Sequence, residues 1–265
     1  MSLRSRIPDP LLAVLVAVGL TLVAYGGGNV LVVLFALLLQ PLGVELTPRY
    51  LVILSAVTIQ LIAFTGISLA YLRYRDMSVT DIGVRMPSLE GWIVLGVGFV
   101  GMIVLWLVGS IGAFVIGEWI GIERDTQMLF EIARQDPMVF FIAAALSILI
   151  IGPAEELLFR GIIQTRLRET LGVGAGITVA TAIFALVHIT GFGSLEGGLL
   201  GVSVLFLVGL VLALAYEYTG NLVVVAIMHG LFNAVQMALG YVSLQYADPD
   251  AISLLVEAAL AIAAA

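Results

Sequence analysis

The chain has 265 residues, of which 62% are hydrophobic and 11% charged, against about 45–50% and about 25% in an ordinary soluble domain. That excess is too large for one globular core and leaves too few polar side chains to cover a surface facing water, so a soluble enzyme is excluded. Eleven arginines, no lysine and 18 acidic residues give a net charge of −7, which argues against a nucleic-acid partner, since such binding rests on basic contacts to phosphate. The absence of cysteine removes disulfides, thiolate nucleophiles and cysteine metal sites.

A helix crossing a bilayer takes roughly 20 apolar residues, so the hydrophobic content suffices for about seven or eight crossings. The expected fold is all-α, a polytopic membrane helix bundle. In chain order the apolar runs predict spans over Leu11–Leu39, long enough to tilt or to break at Gly26, Gly27 and Gly28, then Tyr50–Tyr71 and Trp92–Ile116. A fourth starts near Pro137 and is interrupted by Glu155, Glu156 and Arg160; Gly172–Thr190, Leu199–Tyr218 and Asn221–Leu239 follow, and a weak last span begins at Ala251. Grouped, residues 1–136 hold the N-terminal crossings and loops, 137–240 the helices that carry chemistry, and 241–265 the weak C-terminal helix. The apolar run after Arg4 and Arg6 continues for about 30 residues, longer than the 7–15 of a signal core, which speaks against a cleavable signal peptide.

With the N-terminus inside, eight arginines fall on inner segments (4, 6, 73, 75, 85, 160, 166 and 168) and three on outer ones (49, 124 and 134). That excess favours an integral, multi-pass protein of the cell membrane with a cytoplasmic N-terminus. The segment from Arg73 to Glu90 reads as a solvated connector without chemistry of its own.

Ionisable groups within a membrane cost about 2.5–3.5 kcal/mol each on insertion scales and by default mark function. The two histidines both fall inside predicted spans, His188 in the fifth and His229 in the seventh. In the fourth, Glu156 and Arg160 stand four residues apart on one helix face, which predicts a structural ion pair. Glu155 points about 100° away, free of that pair and available as a base. Pro153, next to Gly152, is expected to kink the helix and open backbone toward the same place. Phe184 shares a face with His188, and Asn233 with His229; an asparagine in hydrocarbon needs partners for both ends of its amide, so a polar pocket is expected there.

If the fourth and fifth helices form a hairpin at Leu171–Gly174, Glu155 and His188 each lie about 16 residues, roughly 24 Å, from the turn. His229 lies about 8 residues beyond the turn at Gly220 and Asn221, so the depths agree if the first hairpin protrudes by roughly two helical turns. Glu155, His188, His229 and Asn233 are then expected to line one cavity near mid-membrane, reached from the cytoplasmic side.

Glu-Glu-x-x-x-Arg at Glu155, Glu156 and Arg160, Phe-x-x-x-His at Phe184 and His188, and His-x-x-x-Asn at His229 and Asn233, in this order on successive apolar helices, resemble the CAAX protease and bacteriocin-processing family of intramembrane proteases. The resemblance covers roughly Pro137 to Leu239. It implies peptide-bond hydrolysis within the membrane, with Glu155 as the glutamate that activates water, Glu156, Arg160 and Phe184 as its support, and His188, His229 and Asn233 as the remaining active-site groups. The implied partners are membrane lipid and a peptide or membrane-anchored protein substrate.

Two mechanisms stay open from sequence. Imidazole and amide donors can stabilise an oxyanion while a carboxylate acts on water without metal. Alternatively, His188, His229 and Glu155 are the ligand set of a catalytic zinc or other divalent metal site. The competing functional readings are a proton-coupled transporter using the same buried groups, a b-type haem protein ligated by both histidines, and a non-catalytic scaffold or immunity-type relative.

Overall fold

The computed structural model describes residues 9–122 and 128–246, and among them seven helices are long and apolar enough to cross a bilayer. The spans are α1 (Asp9–Leu39), α2 (Pro48–Tyr74), α3 (Leu89–Ile120), α5 (Met138–Leu171), α6 (Val173–Gly191), α7 (Leu195–Thr219) and α8 (Leu222–Tyr246), with a short amphipathic α4 (Met128–Gln135) before α5. The expected all-α bundle is present; the weak span from Ala251 lies outside the described residues.

Local signals set the ends of these helices. Thr47, Ser88 and Ser194 each accept a backbone N–H from the first turn of α2, α3 and α7, at 3.4, 3.2 and 3.1 Å. Asn221 does the same for Val223 at the start of α8, at 2.9 Å. These side chains satisfy donors that a helix start leaves orphaned. The turn between α7 and α8 requires the left-handed backbone of Gly220, φ 53, open to a residue without a Cβ.

Of the two alternatives for the first span, a break at Gly26–Gly28 does not occur, and α1 runs through these residues. Gly28 serves close packing instead: a Cβ there would sit 2.7 Å from the Cα of Ile59 on α2. Around Pro153 the ladder widens rather than ending. Residues 147–151 and 157–164 of α5 form π-helical turns on either side of Gly152–Glu156, and the N–H of Gly152 reaches back five residues to the carbonyl of Ser147. A π turn also runs through 56–64 of α2.

Helix α8 packs against α3, α5 and α7, with Trp106 and Phe232 edge to face at 6.0 Å. A second cluster joins α1, α2, α5 and α6 through the rings of Phe64, Phe159 and Phe184, stacked edge to face at 5.9 and 5.2 Å. Leu22, Leu38, Val97, Val108 and Trp119 stay exposed on the outside, the surface a bilayer covers.

The connector between α2 and α3 is largely exposed, as its composition predicts, apart from a buried contact at Ile82 and Gly83. Ile82 is 1% exposed, its carbonyl accepts the hydroxyl of Tyr216 at 3.0 Å, and the Gly83 carbonyl accepts the N–H of Leu222, also at 3.0 Å. Gly83, with φ 80, lies so close to the α7–α8 turn that a Cβ would stand 2.1 Å from the Gly220 carbonyl oxygen. The connector therefore plugs the end of that helical hairpin.

Candidate active site

Helix α5 delivers the acidic pair. Glu156 and Arg160 are both 0% exposed and face each other as the four-residue spacing demands, Nε to Oε2 at 3.4 Å. The Arg160 guanidinium also donates to the Gly209 carbonyl at 3.3 Å and lies 4.6 Å over the Phe184 ring. One turn on, Gln164 donates to the Ala213 carbonyl at 3.0 Å. Two buried donors four residues apart thus engage two carbonyls four residues apart and lock α5 to α7. The other oxygen of Glu156 does something the spacing alone does not reveal: it accepts the Nδ1–H of His229 at 2.8 Å.

That bond needs α5 and α8 to come close, and glycines permit it. A Cβ on Gly152 would lie 3.0 Å from the Gly230 nitrogen, and one on Gly230 would lie 2.7 Å from the Cα of Ile148. Small residues at a membrane helix contact let backbones approach in this way.

Glu155 turns away from the ion pair, as expected. Its Oε2 lies 3.9 Å from Nε2 of His188 and 3.7 Å from Nε2 of His229, while Oε1 lies 3.5 Å from the amide nitrogen of Gln60. His188 sits where α6 tightens into a 3₁₀ turn, and its Nδ1 bonds the carbonyl of Phe184 at 2.8 Å. The ring of Phe184 packs edge-on to both imidazoles, at 4.9 and 5.8 Å, so Phe184 holds the histidines by backbone and ring together.

The tautomers follow from these partners. A carbonyl and an ion-paired carboxylate only accept, so Nδ1 carries the hydrogen in both rings, and Nε2 is the atom each ring turns to Glu155. At 3.9 and 3.7 Å from Glu155 Oε2 these atoms lie beyond direct hydrogen-bond distance and within reach of a shared water. The ligand types also match a zinc site, with the outer hydrogen bonds such histidines make. Among the described residues, no group of three His, Cys, Asp or Glu is arranged to hold a metal.

Glu155, His188, Asn233 and Gln60 line one cavity of about 300 Å³ whose other walls are largely apolar, including Ile59, Phe159 and Met237. Of the four residues expected on one cavity wall, Glu155, His188 and Asn233 are there; His229 is not on the lining and reaches the site through Glu155, 3.7 Å away. The side of access differs from expectation. The cavity is lined by α4 and by Thr190 and Gly191, at the end of the bundle opposite the arginine-rich turns where Arg75 pairs with Glu169 at 3.5 Å. The cavity thus lies toward the end of the bundle away from the arginine-rich turns, whereas the sequence places access at the arginine-rich end.

Gln60 is not among the residues that the sequence motifs point to. A lone amide within the apolar run of α2 carries the same desolvation argument that picks out Asn233, but no motif accompanies it.

Comparison with known proteins places the chain among membrane proteases. A family profile described as type II CAAX prenyl endopeptidase Rce1-like matches residues 137–235. The chain is 30% identical over 220 residues, 79% of its length and 80% of the relative's, to the membrane-embedded CAAX protease MroQ of Staphylococcus aureus (strain USA300). It is 36% identical over 102 residues, 38% of its length and 45% of the relative's, to the uncharacterized protein YpbD of Bacillus subtilis (strain 168). No solved structure matches.

Proposed function

Since the chain belongs to the membrane-embedded CAAX protease family, we propose that it is an intramembrane endopeptidase in which Glu155 activates water. The observation that carries this reading is the convergence of both imidazole Nε2 atoms on the one carboxylate that Arg160 does not neutralise. A water between them has one hydrogen on Glu155 Oε2 and the other on an imidazole. As the water oxygen attacks the scissile carbonyl carbon, Glu155 takes the first proton. The carbonyl oxygen becomes an oxyanion, for which the Asn233 amide on the same wall is a neutral donor. Collapse breaks the C–N bond as the proton held by Glu155 passes to the departing nitrogen, giving a carboxylic acid and an amine; the acid then cedes the second water proton to the amine, so the products are a carboxylate and an ammonium. Glu156 keeps His229 in its tautomer, and the Phe184 carbonyl does so for His188.

The substrate class is a peptide or membrane-anchored protein that reaches the cavity within the lipid. With the cytoplasmic N-terminus that the arginine distribution favours, and in the cell membrane, the cavity opens toward the outer half of the bilayer.

The test is cleavage of a library of membrane-anchored, internally quenched peptides by the full chain in liposomes. Wild type cuts at least one member, and Glu155→Gln lowers kcat by about 10²- to 10⁴-fold, the contribution of a positioned general base, with unchanged thermal unfolding. Dialysis against 1,10-phenanthroline leaves cleavage intact; loss restored by zinc would reassign Glu155, His188 and His229 as ligands. Peptides left uncut, or full activity in Glu155→Gln, would overturn the proposal.

A further inference from the structure

Glu155 is held by imidazoles on one oxygen only. Its Oε1 lies 3.5 Å from Gln60 Nε2, contributed by α2, a helix outside the three motifs. The amide is oriented without ambiguity, because a carboxylate accepts and only the NH₂ end of a glutamine donates. The opposite end, Gln60 Oε1, is excluded from solvent and has no hydrogen-bond partner. Buried polar side chains in native proteins are nearly always satisfied, so an orphan acceptor on a cavity wall points to a donor brought in by the cavity's contents.

The backbone supports the same reading. Gln60 lies inside the π-helical stretch 56–64, and Glu155 lies between the π-helical stretches 147–151 and 157–164. Wide turns inside helices recur at functional sites because the extra residue re-aims the side chains around it. Here two helices carry them at the level where their polar side chains meet.

We propose that Gln60 is a positioning residue for Glu155: its amide N–H holds Oε1 so that Oε2 stays turned to the imidazoles and the reacting water. The inference rests on the proposed general-base role of Glu155. A carboxylate without this donor rotates about its terminal torsion and spends part of its time misaligned, which lowers turnover without changing how tightly the peptide binds.

The experiment compares Gln60→Ala and the near-isosteric Gln60→Met with wild type, using the best-cut member of the membrane-anchored peptide library and the full chain in liposomes. Both variants are expected to lower kcat by roughly ten- to a hundredfold, the range for losing a hydrogen bond to a charged group, with KM within about twofold and unfolding temperature unchanged. Recovery of wild-type kcat by Gln60→Met would mean a packing role and overturn the inference, as would a higher KM at unchanged kcat. If Gln60→Ala does not fold, Gln60→Met decides alone. Glu155→Gln is measured alongside: full activity in that variant removes the general base, whereas an inactive Glu155→Gln beside fully active Gln60 variants removes only the positioning role of Gln60.

Discussion

The Glu156–Arg160 pair is the most exposed to a decisive perturbation, because it is wholly buried. Both residues are 0% exposed, and Nε and Nη1 of Arg160 have no hydrogen-bond partner. The guanidinium is therefore balanced by the nearby carboxylate and eased only by the Gly209 carbonyl and the Phe184 ring. Glu156→Gln keeps the shape and an acceptor for His229 but strands a buried positive charge. Removing one partner of such a pair costs about 3–5 kcal/mol, or roughly two to four powers of ten in the folding equilibrium. Arg160→Met strands the carboxylate and carries a similar penalty. The double variant leaves neither member of the pair stranded, so its destabilisation is expected to fall well below the sum of the single effects, by at least about 2 kcal/mol. Reversible unfolding in mixed micelles, run as a double-mutant cycle, reads this directly. Additive losses would refute the idea that Arg160 is there to be neutralised by Glu156.

Two further outcomes test the packing and the connector. Gly230→Ala puts a methyl where 2.7 Å separates it from the Ile148 Cα; it is expected to destabilise by about 1–3 kcal/mol and to reduce cleavage by pushing His229 off Glu156. Gly112→Ala, on α3 with nothing within 4 Å, is the control and should stabilise by about 0.5–1 kcal/mol. In the connector, the backbone N–H and hydroxyl of Ser78 hold the Asp81 carboxyl below its ordinary range. A depressed folded-state value means the contribution is present above the unfolded value near 3.9 and is lost as pH falls through the folded one. The protection of the Ser78 amide, relative to its intrinsic exchange rate at each pH, should thus hold down to about pH 4 and be lost as pH falls further through the depressed Asp81 value; pH-independent protection would remove Asp81 from the turn.

Much of the molecule is legible from sequence. Helix number and order follow from runs long enough to span a bilayer, and the Glu156–Arg160 contact follows from helical period alone. The meeting of Glu155 with His188 and His229 follows from counting residues to the turns, because helical rise converts sequence distance into depth. What stays hidden depends on contacts between segments. The bond from Glu156 to His229 exists because Gly152 and Gly230 let two backbones touch, and nothing in a single helix announces its partner. Gln60 sits on a helix without motif residues. Ile82 and Gly83 look like part of a polar connector because two small apolar residues among charges do not signal burial, yet they seal the end of α7 and α8. The end of the bundle toward which the cavity lies stays hidden as well, because residue counting gives depth but not which end is left open.

The wide turns of α2 and α5 carry a cost of a different sort. Each stores one residue more than a regular ladder of equal height, so losing a single apolar side chain there lets the ladder relax to its common pitch. Everything beyond that point then swings by about 100° about the axis. Such a deletion would preserve hydrophobicity, span length and burial of the bundle while carrying the carboxylate of Glu155 away from its imidazoles. For this chain, changing the length of those two helices is more dangerous to chemistry than exchanging almost any residue along their lipid-facing stripes.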